Sequence, residues 1–293
     1  LASLKSNGGY LAMFKEAVSS DGQKVGVLCE KPFMKEKNEG LVIKILDKDL
    51  QPILTKDYNY TIASMKRRFN VPLINNKGSL YILKRARIKT KNKYFLTLIK
   101  ESGVEEHHDV KLRSMRIADV TGAFNKEGEL IVSGFYAGFN GFAFQGTFSI
   151  KYNESSMPVY RKELMLPENL ITGLKSKKEI SKFGNGLNKF HVKKLIVTQK
   201  GSSYLIAEHL SVNKTEKESV EERKGIAVVK FSNKGDFLWA APIASNQIDN
   251  LYNGYWSSSV LIGNDTTLYV LYNPVGEGVK KPEDVYGVNA LMG

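Results

Sequence analysis

A polar and aromatic cluster near the end of the chain carries residue types suited to ligand binding. Asp249 is followed closely by Tyr252, Tyr255 and Trp256, with asparagines between them. Aromatic rings stack on the apolar faces of sugars and peptides, while carboxylates and amides bind hydroxyl groups. These four residues therefore predict a carbohydrate or peptide site. Packing between neighbouring structural elements is the alternative of equal weight.

A second aromatic cluster lies in the glycine-rich segment 134–146. Its five aromatic residues are Phe135, Tyr136, Phe139, Phe142 and Phe144. They are too many for an ordinary solvated loop, and the glycines allow them either to fold into the core or to form a stacking surface. Core packing is the favoured interpretation. In the alternative, Tyr136 and Phe139 contact the ligand.

Catalysis would require reactive groups that converge in space. Asp119 and Asp249 are the candidate acid and base of a glycoside hydrolase, in which the two carboxyls lie about 5–10 Å apart. The sequence contains no nucleophile elbow, phosphate-binding loop, paired-cysteine metal motif or dinucleotide fingerprint. It therefore favours binding over catalysis and predicts no cofactor.

The histidines favour structural interpretations. The segment 105–109 reads Glu-Glu-His-His-Asp, but adjacent residues of an extended chain point to opposite sides, so only half of them could face one ion. A structural metal site uses about four ligands. We interpret the segment as an exposed turn and predict no metal site. His191 and His209 occur singly inside strands, where a hydrogen-bonded structural imidazole is the expectation.

The chain carries 43 Lys and Arg against 30 Asp and Glu, a formal net charge of +13. Such an excess suits a polyanion such as nucleic acid, an acidic glycan or an anionic membrane. The densest basic run is 84–93, and its candidate basic patch comprises Arg85, Arg87, Lys89 and Lys91. Basic residues alternate there with Ala86, Ile88 and Thr90, so a solvated strand face and hairpin tip is favoured. A polyanion site would need this patch to meet the lysines of 175–178 and 193–194, and nucleic acid is disfavoured.

The elements that must position these residues recur five times. Each unit has a turn followed by an alternating apolar strand, and these anchors begin at Asp21, Gly78, Gly128, Gly201 and Asp265. A β-type stretch precedes each anchor, a third strand follows it, and most units add a fourth. Four antiparallel strands in about 50 to 70 residues are typical of a propeller blade. The sequence predicts an all-β fold, a β-propeller of four-stranded antiparallel blades.

The 293 residues are expected to form one domain with enough apolar material for a core. Its units are 7–60, 61–112, 113–166, 187–250 and 251–293, and 167–186 is a helical insertion between blades. The fifth unit ends near its third strand. Either residues 1–6 supply the missing strand or the chain is part of a larger ring, and the second is favoured. The lone Cys29 is interpreted as a small buried hydrophobe.

Four segments carry a resemblance to a known group: 201–208, 225–240, 253–259 and 268–273, the second ending in the hairpin motif Gly-Asp-Phe-Leu-Trp-Ala. The sequence there resembles uncharacterised exported propeller-like proteins of Bacteroidota, best over about 188–274. The resemblance implies a propeller fold and an exported location, in the periplasm or at the outer membrane of a Gram-negative bacterium. Because the first residues carry no export signal, this location assumes a trimmed start. No catalytic residues are established in the group.

Together these observations predict a non-catalytic binding or scaffold module of the cell envelope that recognises a protein partner or a glycan through a propeller face. The first alternative is a propeller glycoside hydrolase or lyase, and the second is a polyanion-binding protein. No apolar run is long enough to span a bilayer. Membrane association would therefore depend on a lipid anchor or a partner.

Overall fold

The structure, a computed structural model, describes residues 13–32, 37–63, 69–88, 91–100, 105–113, 115–138, 143–214, 219–250, 259–272 and 287–292. The chain divides into two compact units. Unit one comprises Leu1–Lys111 and Lys126–Leu130, and unit two comprises Leu112–Asn125 and Ile131–Gly293. Within the described ranges, no helix has the length and apolar character needed to span a membrane.

Unit one contains two four-stranded antiparallel sheets, each with its strands in chain order. The first sheet consists of β1 Met13–Val18, β2 Lys24–Glu30, β3 Asn38–Asp47 and β4 Pro52–Ala63. The second consists of β5 Asn70–Ile74, β6 Leu80–Ile88, β7 Lys91–Ile99 and β8 Glu105–Val110.

Unit two contains three antiparallel sheets. One residue of the third sheet, Leu130, is grouped with unit one. The third sheet consists of β9 Arg116–Phe124, β10 Leu130–Ala137, β11 Gly146–Tyr152 and β12 Pro158–Met165. The fourth consists of β13 Phe190–Val197, β14 Ser203–His209, β15 Ser211–Lys214, β16 Ser219–Phe231 and β17 Phe237–Asn250. The fifth consists, in its described part, of β18 Ser259–Gly263, β19 Thr267–Tyr272 and β20 Gly287–Met292.

The predicted fold class, an all-β protein of four-stranded antiparallel propeller blades, is confirmed. The fourth sheet departs from the repeat because β15 adds a strand beside the first half of β16, while β14 pairs with the second half. The single-domain prediction, the blade count and the closure of a ring stay predictions.

The repeat is visible because its turns use one hydrogen-bond scheme. In the turn between β5 and β6, the Asn75 side-chain oxygen accepts from the backbone N–H groups of Lys77 at 3.1 Å and Ser79 at 2.9 Å. Gly78 follows with φ of 79°, a left-handed conformation that glycine adopts without steric cost. Asp47 organises the turn between β3 and β4 in the same way. A short polar side chain followed three residues later by a left-handed residue, Gly78 in one turn and Leu50 in the other, therefore marks these hairpins.

The core of each unit is formed by the apolar faces of its own strands. In unit one a buried cluster joins the first two sheets and includes Leu28, Ile43 and Ile82, all fully buried. In unit two one cluster joins the third and fourth sheets to a helix, and another joins the fourth and fifth sheets. Cys29 is buried, as predicted, and burial raises the pKa of its thiol.

The insertion between the third and fourth sheets forms two short helices rather than one. These are α1 Glu168–Leu174 and α2 Lys177–Phe183. Lys175 is extended and ends α1, and Ser176 caps α2. The Ser176 hydroxyl accepts from the Glu179 N–H, and the Glu179 carboxylate accepts from the Ser176 N–H, a complete capping box. Ile180 of α2 packs against the buried cluster that joins the third and fourth sheets.

Two interpretations in unit one are wrong. The segment 105–109 is not a turn but part of β8, paired along its length with β7. Lys84, next to the predicted basic patch, is not solvated: it is 1% exposed and pairs with Glu39 at 2.7 Å. Strand alternation places Lys84 and Ala86 on the buried face, so the charge pattern alone did not reveal which face was solvated.

Candidate functional site

Most of the predicted aromatic ligand contacts lie outside the described residues. This applies to Phe139, Tyr252, Tyr255 and Trp256. Asp249 lies in β17, where its backbone pairs with Glu221 of β16, and its side chain is outside the described part. The carbohydrate or peptide site at these residues stays a prediction.

Tyr136 is described, and it is packed in the core of the third sheet. Its side chain is 4% exposed, and burial followed by the charge of Glu163 raises its pKa. A Cβ atom on Gly146 would lie 1.9 Å from Cζ of Tyr136, so the ring rests directly on that backbone. Phe135 and Phe144 are also buried and stack with centroids 4.6 Å apart. Core packing is confirmed for these three aromatic residues, and a ligand would reach Tyr136 only if this packing rearranged.

Asp119, the predicted catalytic partner of Asp249, links β9 to β13. Its Oδ2 accepts a hydrogen bond from the Val192 N–H at 2.9 Å, and its Oδ1 accepts from the Val120 N–H at 2.9 Å. The Nδ1 atom of His191 lies 3.8 Å from Oδ2. These contacts give Asp119 a structural function, and the proposed separation between Asp119 and Asp249 stays untested.

The predicted basic patch is described only in part. The Arg85 guanidinium lies over the Phe69 ring, 5.6 Å from its centroid. Lys89 and the side chains of Arg87 and Lys91 are outside the described residues. The structure therefore gives no arrangement for the patch as a whole.

A cleft of about 500 Å³ lies within unit two, and none of the predicted aromatic ligand contacts lines it. Its lining combines three lysines and two glutamates with a histidine, an asparagine, two serines and two apolar side chains: Leu174, Lys175, Glu179, Asn188, Lys189, Phe190, His209, Ser211, Glu222, Lys224 and Ser245. Its volume is within the range of small-molecule binding sites.

The helical insertion and the irregular fourth sheet build this cleft. α1 packs closely on β17, since a Cβ on Gly173 would lie 2.4 Å from Cγ of Pro242. Opposite the insertion, Phe190 and His209 are register partners on β13 and β14, and their rings meet edge to face at 5.5 Å. Ser211 of the extra strand β15 is the register partner of Glu222. Both departures from the blade repeat thus contribute to one site.

Several charged groups of the lining are already paired. The Lys175 ammonium donates to the carbonyls of Gly184 and Gly186 at 2.9 and 2.8 Å, which ties the end of α1 to the chain beyond α2. The Glu222 carboxylate lies 3.0 Å from the Lys224 ammonium and accepts from the Ser211 hydroxyl at 3.3 Å. The hydrogen bond from Lys224 contributes most to lowering the pKa of Glu222.

Glu179 is also occupied. Its Oε2 accepts from the Ser176 N–H at 2.9 Å and from the Ser176 hydroxyl at 2.7 Å. These hydrogen bonds lower the pKa of Glu179, with a further contribution from the lysines nearby. Both glutamates of the cleft are therefore held as carboxylates at neutral pH.

His209 carries a buried ring nitrogen, Nδ1, without a hydrogen-bond partner among the described residues. Burial lowers the pKa of the imidazole most, and the positive charges of Lys189 and Lys224 lower it further, against the opposing effect of Glu222 and Glu179. The neutral imidazole is favoured, since a second N–H would leave a buried donor without an acceptor. The expectation of a hydrogen-bonded structural histidine is wrong at this position.

Three further polar side chains line the cleft without a side-chain partner among the described residues: Asn188, Lys189 and Ser245. Lys189 has φ of 60°, and its carbonyl accepts from the Leu210 N–H at 2.8 Å. That bond fixes the backbone of Lys189 beside the end of β14. Together with His209, these residues offer hydrogen-bond donors and acceptors and one unpaired ammonium.

Sequence reasoning missed this site because its residues are scattered between 174 and 245. The one available signal was the interruption of the repeat at 167–186, which the sequence did reveal. A blade pattern that repeats along the chain carries no information about a ligand, whereas an insertion adds side chains that the blade does not need. The sequence around His209 gives no signal, because a single histidine in a strand shows nothing of its surroundings.

Comparisons with known proteins support no family assignment. No protein-family description matches the sequence, and no curated protein matches it. The Bacteroidota resemblance is therefore not confirmed at the family level.

Similarities to solved structures are distant. A Pyrococcus horikoshii acylaminoacyl peptidase shares 11% identity over 96% of this chain and 38% of its own, with a TM-score of 0.47. The polysaccharide lyase Uly1 shares 10% identity over 96% of this chain and 77% of its own, with a TM-score of 0.41. A Bacteroides caccae protein of unknown function shares 14% identity over 81% and 83%, with a TM-score of 0.37. At these TM-scores the similarities carry no argument about function.

Proposed function

We propose that this chain is a non-catalytic binding module of the bacterial cell envelope that holds a glycan in the cleft of unit two. The observation that carries the proposal is the set of unpaired polar groups around an apolar wall: Asn188, Lys189, His209 and Ser245 beside Leu174 and Phe190. Amides, hydroxyls and a neutral imidazole both donate and accept, which suits the hydroxyl groups of a sugar. The envelope location rests on the resemblance to exported proteins.

The state of the two cleft glutamates supports binding rather than hydrolysis. A glycoside hydrolase needs one carboxyl with a raised pKa to protonate the leaving group. Hydrogen bonds from Ser176 lower the pKa of Glu179, and the contact with Lys224 lowers that of Glu222. Neither residue has the environment of a general acid.

Calorimetric titration of the purified chain with a panel of neutral and acidic oligosaccharides tests the proposal. We expect saturable binding of at least one oligosaccharide. His209→Phe keeps a ring of similar shape but removes both nitrogens, and the loss of one hydrogen bond of about 1.4 kcal/mol should weaken binding about tenfold. His191→Phe is the matched control, because His191 is 63% exposed and outside the cleft lining.

Absence of binding across the panel would refute the proposal. So would equal affinities for the wild-type chain and the His209→Phe variant, since the cleft would then not hold the ligand.

A lyase is the second candidate, and one observation favours it. A neutral imidazole beside lysines is suited to remove a proton next to a carboxylate. His209, with Lys189 and Lys224 nearby, has these features. Incubation with the same oligosaccharides, followed by ultraviolet absorbance of unsaturated products, separates the candidates. If unsaturated product forms with the wild-type chain and not with His209→Phe, the chain is a lyase rather than a binding module alone.

A further inference from the structure

The positive charge of Lys189 is the one charge in the cleft lining that the described residues leave unpaired. Lys175 donates to two backbone carbonyls, and Lys224 pairs with Glu222. Lys189 makes no side-chain hydrogen bond or ion pair to the described residues. The lining therefore holds one ammonium that forms no ion pair with the described residues.

The hydrogen bonds and ion pairs of the two lining glutamates are made with groups other than Lys189. Glu179 is held by the N-cap of its own helix, and Glu222 by Lys224 and Ser211. With three lysines and two glutamates, the lining keeps an excess of one positive charge while His209 is neutral.

The Lys189 charge acts inside the cleft rather than away from it. It contributes to lowering the pKa values of both His209 and Glu222, which lie on different strands of the fourth sheet. Its backbone is held by the hydrogen bond from Leu210. An ammonium on a backbone fixed in this way can meet a ligand without reordering the chain, which lowers the entropic cost of binding.

The uncharged groups of the lining restrict the chemical class of the ligand further. Asn188 and Ser245 can bind hydroxyl groups, and the apolar side chains of Leu174 and Phe190 suit the hydrophobic face of a sugar ring. One unpaired lysine, without an arginine fork in the lining, matches a single carboxylate better than a doubly charged phosphate.

We propose that the ligand of this cleft is an acidic saccharide whose carboxylate is bound by Lys189. The proposal rests on the glycan-binding function above and names its ligand class. It assigns the hydroxyl groups of the sugar to Asn188, Ser245 and the neutral His209.

Methyl esterification of the ligand gives a direct test, because an ester keeps the shape of a uronate and removes its charge. The probes are oligosaccharides of galacturonate, glucuronate and mannuronate, each titrated beside its methyl ester. At least one acid form should bind at least about tenfold more tightly than its ester, the effect of one charge-assisted hydrogen bond.

Lys189→Gln should reduce the difference between acid and ester to about twofold or less, because glutamine keeps an unbranched polar side chain, only one atom shorter, and removes the charge. Lys194→Gln is the control: Lys194 is exposed on β13 and outside the cleft lining. It should leave the preference unchanged. An unaltered melting temperature shows that each variant is folded.

The outcomes separate the two proposals. Equal binding of acid and ester, or binding of neutral oligosaccharides only, overturns the acidic ligand class and leaves glycan binding intact. A preference that survives in Lys189→Gln also overturns the assignment. Failure of every acidic and neutral oligosaccharide to bind overturns both proposals.

Discussion

At the level of single residues, His209 shows that the position of a residue in a strand does not determine its chemical environment. Its neighbour in the sheet, Phe190, is a core residue, yet the imidazole lines a polar cleft and leaves a buried nitrogen without a partner. An unsatisfied buried polar atom costs free energy, about 1–3 kcal/mol, so it needs a reason to be there. A ligand or an ordered water that completes the site is such a reason.

The titration of His209 should make stability depend on pH. The pKa of the imidazole is lowered in the folded chain from the ordinary 6.5 that applies when it is unfolded. Between these two values the unfolded chain binds the proton and the folded chain does not. The contribution of His209 to stability is therefore fully present above about pH 6.5. It decreases as the pH falls from there to the pKa of the folded chain, and below that pKa no further loss occurs. The charged groups around the ring are Lys175, Lys189, Lys224, Glu179 and Glu222.

Melting temperatures of the wild-type chain and His209→Gln, taken from about pH 8 to about pH 5, measure this effect. Other groups titrate in both proteins, so the difference between the two curves isolates His209. We expect the wild-type chain to lose more stability than the variant as the pH falls. A difference that stays constant over this range would contradict the prediction.

At the level of elements, the two sheets of unit one are joined by a buried polar network. The Asn70 amide donates to Glu30 at 3.0 Å and to Glu39 at 2.7 Å, and its oxygen accepts from Lys84. Lys15 completes the network with an ion pair to Glu30 at 2.9 Å. Since its members come from both sheets of unit one, the network specifies how these sheets meet.

Removing one member should expose how strongly this network depends on pairing. Lys84→Met leaves the Glu39 carboxylate buried without its ammonium and should lower the free energy of unfolding by about 3–5 kcal/mol. Adding Glu39→Leu removes the unpaired charge and should recover part of that loss. Lys31→Met is the control, because its pair with Asp57 is solvent-exposed and should contribute no more than about 1 kcal/mol.

Urea unfolding of these variants gives the free energies. If Lys84→Met costs no more than Lys31→Met, the network contributes no special stability. If the double variant is less stable than Lys84→Met, the unpaired Glu39 carboxylate is not the source of the loss.

The elements also show what the sequence could reveal. The strand that precedes each anchor, such as β9 Arg116–Phe124 before Gly128, is predictable because alternation and turn chemistry are local. The burial of Lys84 was not, because a basic residue in an alternating strand points to either face until a partner such as Glu39 is known. Glu39 lies 45 residues earlier in the chain, and only the folded sheet brings the two together.

At the level of the whole molecule, the blades form the regular fold, and the helical insertion and the extra strand β15 contribute to the candidate site. The repeat predicted the class of fold because every blade obeys the same rules. The cleft needed α1, α2 and the extra strand β15 to meet within unit two, and such long-range contacts leave no mark on local sequence. The aromatic sites predicted at Phe139 and at 252–256 remain candidates beside it.

The net charge of +13 gives a last prediction that separates general from specific binding. Lys84 is buried and paired, and Arg85 lies over an aromatic ring, so the described part of the basic run does not form a continuous cationic surface. Retention on a heparin column should therefore reflect diffuse charge and fall steeply with salt. Arg85→Gln and Lys189→Gln should each alter the slope of log K against log salt by less than about one. Lys189→Gln alone should also lose most of its preference for the acid form of the saccharide over its methyl ester. If Arg85→Gln abolished retention at low salt, a localised polyanion site at the basic run would replace this interpretation.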